Sequence, residues 1–145
     1  MKEALIAFAR AVGWGTLAGG LPWTLLLFVP MAWDMIDYAS IGEIVVLAVT
    51  PLTLSGVMVL VSAVMFGLPL TTFLSVQKRE TWSAYACAGL VLGAIVPVVL
   101  IALTDGPDDL EILFFVLPGA FAGLVTGTSW GRWREAQRVA RSDGL

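Results

Sequence analysis

The side chains that most often carry catalysis or bind metal ions are almost absent from this sequence. It has no histidine and a single cysteine, Cys87. Histidine is the commonest metal ligand and general base, and one cysteine cannot form a disulfide within the chain or a Cys-x-x-Cys redox pair. The sequence therefore predicts no catalytic residue, no metal site and no cofactor, in a protein that is not an enzyme.

Two polar groups could still bind a cation. The acidic stretch at residues 105–111 could hold a divalent ion, but it lacks the ligand spacing of an EF-hand loop. We favour a solvated loop in which Asp108 or Asp109 caps a helix. The second group surrounds a proline inside an apolar stretch, where a broken helix can line an ion site. A kink whose freed carbonyls bind neighbouring hydroxyls is the simpler interpretation. Its members are Thr50, Pro51, Thr53 and Ser55.

Glycines at four-residue spacing are the most specific local pattern. Four residues of helix turn about 400°, so successive glycines drift by only about 40° and form one groove. Glycine at this spacing lets another backbone approach closely. The pattern predicts a packing surface, inside a helix bundle or against another protein or a second copy of the chain. It comprises Gly119, Gly123, Gly127 and Gly131, with the shorter pairs Gly89 and Gly93, and Gly15 and Gly19.

The elements that carry these residues are predicted to be membrane-spanning helices. The chain is 59% hydrophobic and 13% charged, whereas about a quarter of an ordinary soluble domain is charged. A bilayer is crossed by about 20 apolar residues. Four such spans are expected, at about residues 11–33, 43–66, 82–103 and 110–130. Segments 2–10 and 67–77 are predicted to lie at the membrane interface, with Pro69 marking a change of direction.

The charges predict the orientation of the spans. All eight basic residues precede the first span, lie between the second and third, or follow the fourth. The other two connections contain only acidic charges. Because short loops rich in lysine and arginine stay cytoplasmic, both termini are expected in the cytoplasm, with a basic tail at 131–145. That tail is a topology anchor or a contact with anionic lipid. A cleaved signal peptide is not expected, since Arg10 interrupts the apolar stretch.

Together these features predict an all-α integral membrane protein, a four-helix transmembrane bundle with antiparallel neighbours, in a bacterial inner membrane. The expected partners are the lipid bilayer and other membrane proteins or copies of the chain, and no nucleic acid. The favoured function is that of a non-catalytic subunit or interaction protein in a larger membrane complex. One alternative is a small homo-oligomeric channel or transporter. Another is an immunity or stress-type protein that binds another membrane protein.

Overall fold

The structure, a computed structural model, describes residues 2–77, 81–104 and 109–142, without the side chains of residues 100, 101, 104 and 109–114. All regular secondary structure in these ranges is helical, which confirms the all-α prediction. We number the helices α1 to α4 along the chain. They are α1 (Lys2–Asp34), α2 (Ile41–Val76), α3 (Trp82–Thr104) and α4 (Asp109–Ser142).

Three of these helices are long and apolar enough to cross a membrane. They are α1, α2 and the Trp82–Val99 part of α3. The start of the predicted fourth span, residues 110–114, lies outside the described side chains. The helices also extend beyond the predicted spans. Residues 2–10 continue α1, residues 67–76 continue α2, and the basic tail continues α4 to Ser142.

The distribution of apolar side chains is the reverse of that in a soluble protein. Small residues and one tyrosine are buried: Ala11, Ala86, Ala122 and Tyr85. Long aliphatic side chains point outward instead, and Leu26 is 75% exposed. In water such an apolar surface would promote aggregation, whereas lipid solvates it without a free-energy penalty. Small buried residues let the helices approach each other closely. The burial pattern therefore agrees with the apolar helices in indicating a membrane protein.

The helices pack in the spatial order α2, α1, α4, α3. The largest interface is between α3 and α4, followed by α1 with α4 and α1 with α2. Each of these pairs is antiparallel, because the residue numbers of contacting partners rise on one helix as they fall on the other. Helices α2 and α3 follow each other in the chain but have little contact. This differs from the expectation that consecutive helices are packed neighbours.

Two π-helical turns interrupt the longer helices, and each precedes a proline. Residues Thr24–Phe28 form one in α1, and Ala63–Gly67 form the other in α2. Proline cannot donate a hydrogen bond to the carbonyl four residues earlier, and its ring crowds that oxygen. For Pro30 and Pro69 that carbonyl lies at the third residue of the π turn. The α-helical ladder therefore widens at these two prolines, whereas Pro22, Pro51 and Pro97 lie within α-helix.

The connection between α1 and α2 ends in a capping box. The Ser40 hydroxyl accepts a hydrogen bond from the backbone N–H of Glu43, at 3.3 Å. The Glu43 carboxylate accepts one in return from the backbone N–H of Ser40, at 2.8 Å. Two N–H groups that the first helical turn leaves without partners are thereby satisfied. This cap starts α2 at Ile41, and Gly42 lies in the first turn of the helix.

Candidate functional site

The four-glycine pattern of α4 lies against α3. A Cβ at Gly123 would overlap the carbonyl oxygen of Gly89, and a Cβ at Gly89 would overlap that of Gly123. Gly119 and Gly93 are related in the same reciprocal way. Each of these glycines thus directs a Cα–H bond at a carbonyl of the facing helix, which is the geometry of weak Cα–H···O hydrogen bonds. Gly127 and Gly131 continue this contact against the backbone of Tyr85 and Trp82. We call the whole glycine-lined interface of α3 and α4 the seam.

The glycine pair of α1 packs against α4 and α2. A Cβ at Gly15 would collide with the Thr126 side chain, and one at Gly19 would lie 3.0 Å from the Ala122 Cβ. Gly19 also faces the Ser55 hydroxyl of α2, at 2.7 Å from its Cβ position. The structure therefore brings all eight predicted packing glycines to contacts inside one chain. The glycine groove of α4 is covered by α3 and is not available to a partner.

The seam leaves a large apolar cleft between α2 and α3. Its volume is about 580 Å³, and α1 and α4 line it as well. Ligand pockets in proteins commonly measure about 300–1,000 Å³. Along α4 the lining runs from Phe115 to Trp130, a distance of about 22 Å at 1.5 Å per residue. The cleft therefore extends through most of the thickness of a hydrocarbon core of about 30 Å.

Aromatic side chains stand at both ends of the cleft. At one end the Trp130 indole N–H donates to the Thr71 hydroxyl at 3.1 Å, joining α4 to α2. Phe8 of α1 packs edge-on against the same indole, with ring centroids 5.9 Å apart. At the other end the centroids of Trp23 and Phe115 lie 6.1 Å apart. The lining between these two groups is mostly apolar, with a few hydroxyl groups.

The hydroxyl groups in the cleft donate mainly to backbone carbonyls of the protein. Thr50, Thr71 and Thr126 each donate to the carbonyl four residues earlier in their own helix. Ser55 donates across the interface to the Thr16 carbonyl of α1, at 3.2 Å. Ser62 makes no hydrogen bond within the described residues. The cleft therefore offers few donors to a hydrated solute, and its walls suit an apolar group.

The structure brings three of the four members of the predicted polar group around Pro51 to one cleft. Thr50, Pro51 and Ser55 line the cleft, whereas Thr53 is exposed and absent from its lining. Its hydroxyl binds the Thr50 carbonyl at 2.8 Å and the Val49 carbonyl at 3.2 Å. The carbonyl that Pro51 frees belongs to Leu47, and none of these hydroxyls binds it. Thr53 thus lies outside the cleft, and the Thr50 and Ser55 hydroxyls donate to different backbone carbonyls and not to a shared centre.

Among the described residues, those that could coordinate a metal ion are also dispersed. In the part of the chain that the structure describes, no three His, Cys, Asp or Glu side chains lie close enough to hold one. Cys87 is exposed and has a free thiol. Asp105 and Asp108 lie outside the described residues, so the acidic stretch is not placed.

Several cleft and interface residues were not identified from the sequence. Gly20 faces Leu52 and Pro51 of α2, and Gly56 faces Thr16 of α1. Neither glycine belongs to a four-residue repeat, so spacing gave no signal. The Trp130–Thr71 hydrogen bond joins residues that are 59 positions apart in the sequence. The sequence indicated only that this tryptophan and this threonine lie near the same predicted membrane face.

No protein-family model, curated protein or solved structure matches this chain. The function must therefore be inferred from its own residues.

Proposed function

We propose that this chain is a non-catalytic membrane protein that acts by binding an apolar transmembrane helix of another membrane subunit. It would be a four-span bundle, with both termini in the cytoplasm of a bacterial inner membrane. The observation that carries this proposal is the cleft between α2 and α3. It is a large, mostly apolar surface that the packing of the described helices leaves uncovered on two facing walls.

The chemistry of the cleft supports a packing role. Its hydroxyls mostly donate to the protein's own carbonyls, which leaves few donors for a polar solute. Helix association in lipid depends on van der Waals contact between well-shaped surfaces. A cleft bordered by helix α2, which has a large interface only with α1, gives a partner helix an unfilled surface of this kind.

Photo-crosslinking in native membranes tests this proposal. Leu54 and Val57 lie on the same helix and are 59% and 60% exposed, but only Leu54 lines the cleft. A photoreactive amino acid at Leu54 should give one defined product with a second membrane polypeptide. The same group at Val57 should give lipid adducts. A product of twice the chain mass would identify the partner as a second copy. If both positions give only lipid adducts, the proposal is wrong.

The volume of the cleft favours a second candidate, a small carrier for an uncharged apolar solute. Its length of about 22 Å would let such a solute pass between the two aromatic ends. Proton coupling is not expected, because the apolar centres of the predicted spans contain no ionisable residue. Reconstitution into liposomes with an internal pH-sensitive dye tests this point. A proton flux that follows an added substrate, and disappears in Glu43→Gln, would favour a transporter over the subunit.

A further inference from the structure

A second groove, between α1 and α4, differs from the cleft in its charges. It lies at the end of the helices where the basic residues cluster, and it is lined on one side by Arg10 and Trp14 and on the other by Ser129 and Arg132. Its volume is about 790 Å³. Glu3 also lines it. The groove is therefore polar and basic toward one end and apolar toward the other.

The two arginines are set opposite each other by the packing of α1 on α4. Gly15 contacts Thr126, and Gly19 contacts Ala122, so paired residue numbers sum to about 141. This antiparallel register places Arg10 beside residue 131 of α4. The Arg132 guanidinium lies over the Trp82 ring, 5.9 Å from its centroid. A guanidinium held over an indole face can still donate its N–H groups to an anion.

Three polar side chains of this groove, Arg10, Ser129 and Arg132, make no ion pair or hydrogen bond within the described residues, whereas Thr128 donates to the Leu124 carbonyl at 2.7 Å. Glu3 is two helical turns from Arg10, about 10 Å along the axis. That separation is close to a Debye length at physiological salt, so Glu3 only weakly reduces the positive potential at the arginines.

The depth of the groove matches the headgroup layer. Arg10 and Arg132 flank the predicted inner ends of the first and fourth spans, near residues 11 and 130. Toward the membrane centre the groove is lined by Trp14, Leu124 and Val125. Guanidinium groups bind phosphate oxygens through paired N–H donors, and the apolar floor suits an acyl chain. Basic pockets between helices on the cytoplasmic side are a known way of holding anionic headgroups.

We infer that the groove between α1 and α4 is a binding site for one anionic phospholipid. Arg10, Arg132 and Ser129 hold the phosphate diester, and the first acyl chain lies along Trp14, Leu124 and Val125. The site and the cleft share no lining residue, so the site does not depend on the proposed partner helix.

The test compares two double variants, each of which loses two positive charges. Arg10→Gln with Arg132→Gln removes the groove arginines. Arg138→Gln with Arg141→Gln removes two exposed arginines of the tail, which lie about 9 and 13 Å further along α4 than Arg132. Binding of phosphatidylglycerol to each purified protein is measured by native mass spectrometry at about 0.15 M salt, where charges beyond about 8 Å are largely screened.

The groove variant should bind phosphatidylglycerol at least tenfold more weakly, because a hydrogen bond to a charged group is worth about one tenfold factor or more. The tail variant should lose less than about threefold, since screening limits its contribution. Equal losses would show a general attraction to basic protein and would overturn the site. If soluble glycerol phosphate displaced bound phosphatidylglycerol as effectively as added lipid does, the occupant would not be a lipid.

A measurement on the unaltered protein covers the case in which the groove variant does not fold. Trp14 and Trp133 line the groove, and bromine atoms on a lipid chain quench nearby indole fluorescence. Brominated phosphatidylglycerol should quench more strongly than brominated phosphatidylcholine at the same mole fraction. Equal quenching by the two lipids would mean that the groove does not select an anionic headgroup.

Discussion

Replacing Gly123 by alanine should separate α3 from α4, because no side chain fits between the two backbones. The new Cβ would lie 2.8 Å from the Gly89 carbonyl carbon and 3.1 Å from the Gly93 Cα, besides overlapping the Gly89 carbonyl oxygen. Carbon atoms in contact are ordinarily about 3.5–4.0 Å apart. Backbone atoms of a helix cannot move singly, so the whole of α3 must shift along this stretch.

The expected loss of stability is about 2–3 kcal/mol. Overpacking in a filled interior costs about 1–3 kcal/mol. Two reciprocal Cα–H···O contacts between Gly89 and Gly123, worth about 0.5–1 kcal/mol each, are weakened as well. Alanine has a higher helix propensity than glycine, which offsets this loss by up to about 1 kcal/mol. Because the collision involves backbone on both sides, side-chain rotation cannot relieve it.

Gly13→Ala is the matched control for this substitution. It makes the same chemical change in a helix, but nothing lies within 4 Å of the Cβ position. It should leave stability unchanged or raise it by up to about 1 kcal/mol. The free energy of unfolding is measured in mixed micelles with increasing denaturing detergent. If Gly123→Ala is as stable as Gly13→Ala, the close approach of the two backbones is wrong and with it the packing of α3 on α4.

Three further predictions concern the other helix contacts and the orientation. Ser55→Ala should destabilise the bundle by about 1 kcal/mol because it removes a hydrogen bond to a backbone carbonyl of α1. Thr53→Ala, whose hydrogen bonds lie within α2, should cost less than about 0.5 kcal/mol. The same unfolding assay measures both, and equal effects would refute the interhelical role of Ser55. Glu135 accepts a hydrogen bond from the backbone N–H of Trp82, the first residue of α3, at 3.3 Å. Glu135→Ala should therefore lower the free energy of unfolding by about 1 kcal/mol, and Glu135→Gln should lower it by less. Thermal denaturation measures both variants, and no change in the alanine variant would mean that this cap is not formed. Reporter fusions at Ser40 and at Gln77 should read as external and cytoplasmic respectively, because every basic residue is assigned to one side; a cytoplasmic signal at Ser40 would reverse the topology.

The packing surfaces could be located from the sequence more readily than their partners. The spacing of Gly119, Gly123 and Gly127 defines one stripe of a helix, since four residues nearly complete a turn. Spacing does not say which register brings two such stripes together. A shift of α3 by four residues would set Gly93 against Gly123 in place of Gly119, with glycine still facing glycine. The observed register also depends on the contacts beyond the repeat, such as that of Gly131 with Trp82.

The prolines show a second limit of sequence reasoning. Six of them lie in the described helices, and each lacks the N–H group that an α-helix uses. Only Pro30 and Pro69 are preceded by a π turn. Residue type is the same in every case, so the difference depends on how the neighbouring turns pack. The sequence therefore predicts that α1 and α2 are perturbed at prolines and marks Pro69, but it does not select Pro30.

The cleft is a geometric consequence of unequal helix separation. Glycines on both sides bring the axes of α3 and α4 closer than ordinary side chains permit. Helix α1 also approaches α4 closely, through Gly15 and Gly19, and α2 approaches α1 through Gly20 and Gly56. No corresponding glycine contact joins α2 to α3 in the described residues. The fourth side of the bundle therefore stays wide, and the Trp130–Thr71 hydrogen bond is a side-chain bridge from α2 to the α3–α4 pair across it. A chain that filled this side by itself would need bulky residues facing inward there, whereas the long side chains of α2 largely point outward, as Val57 and Met65 do.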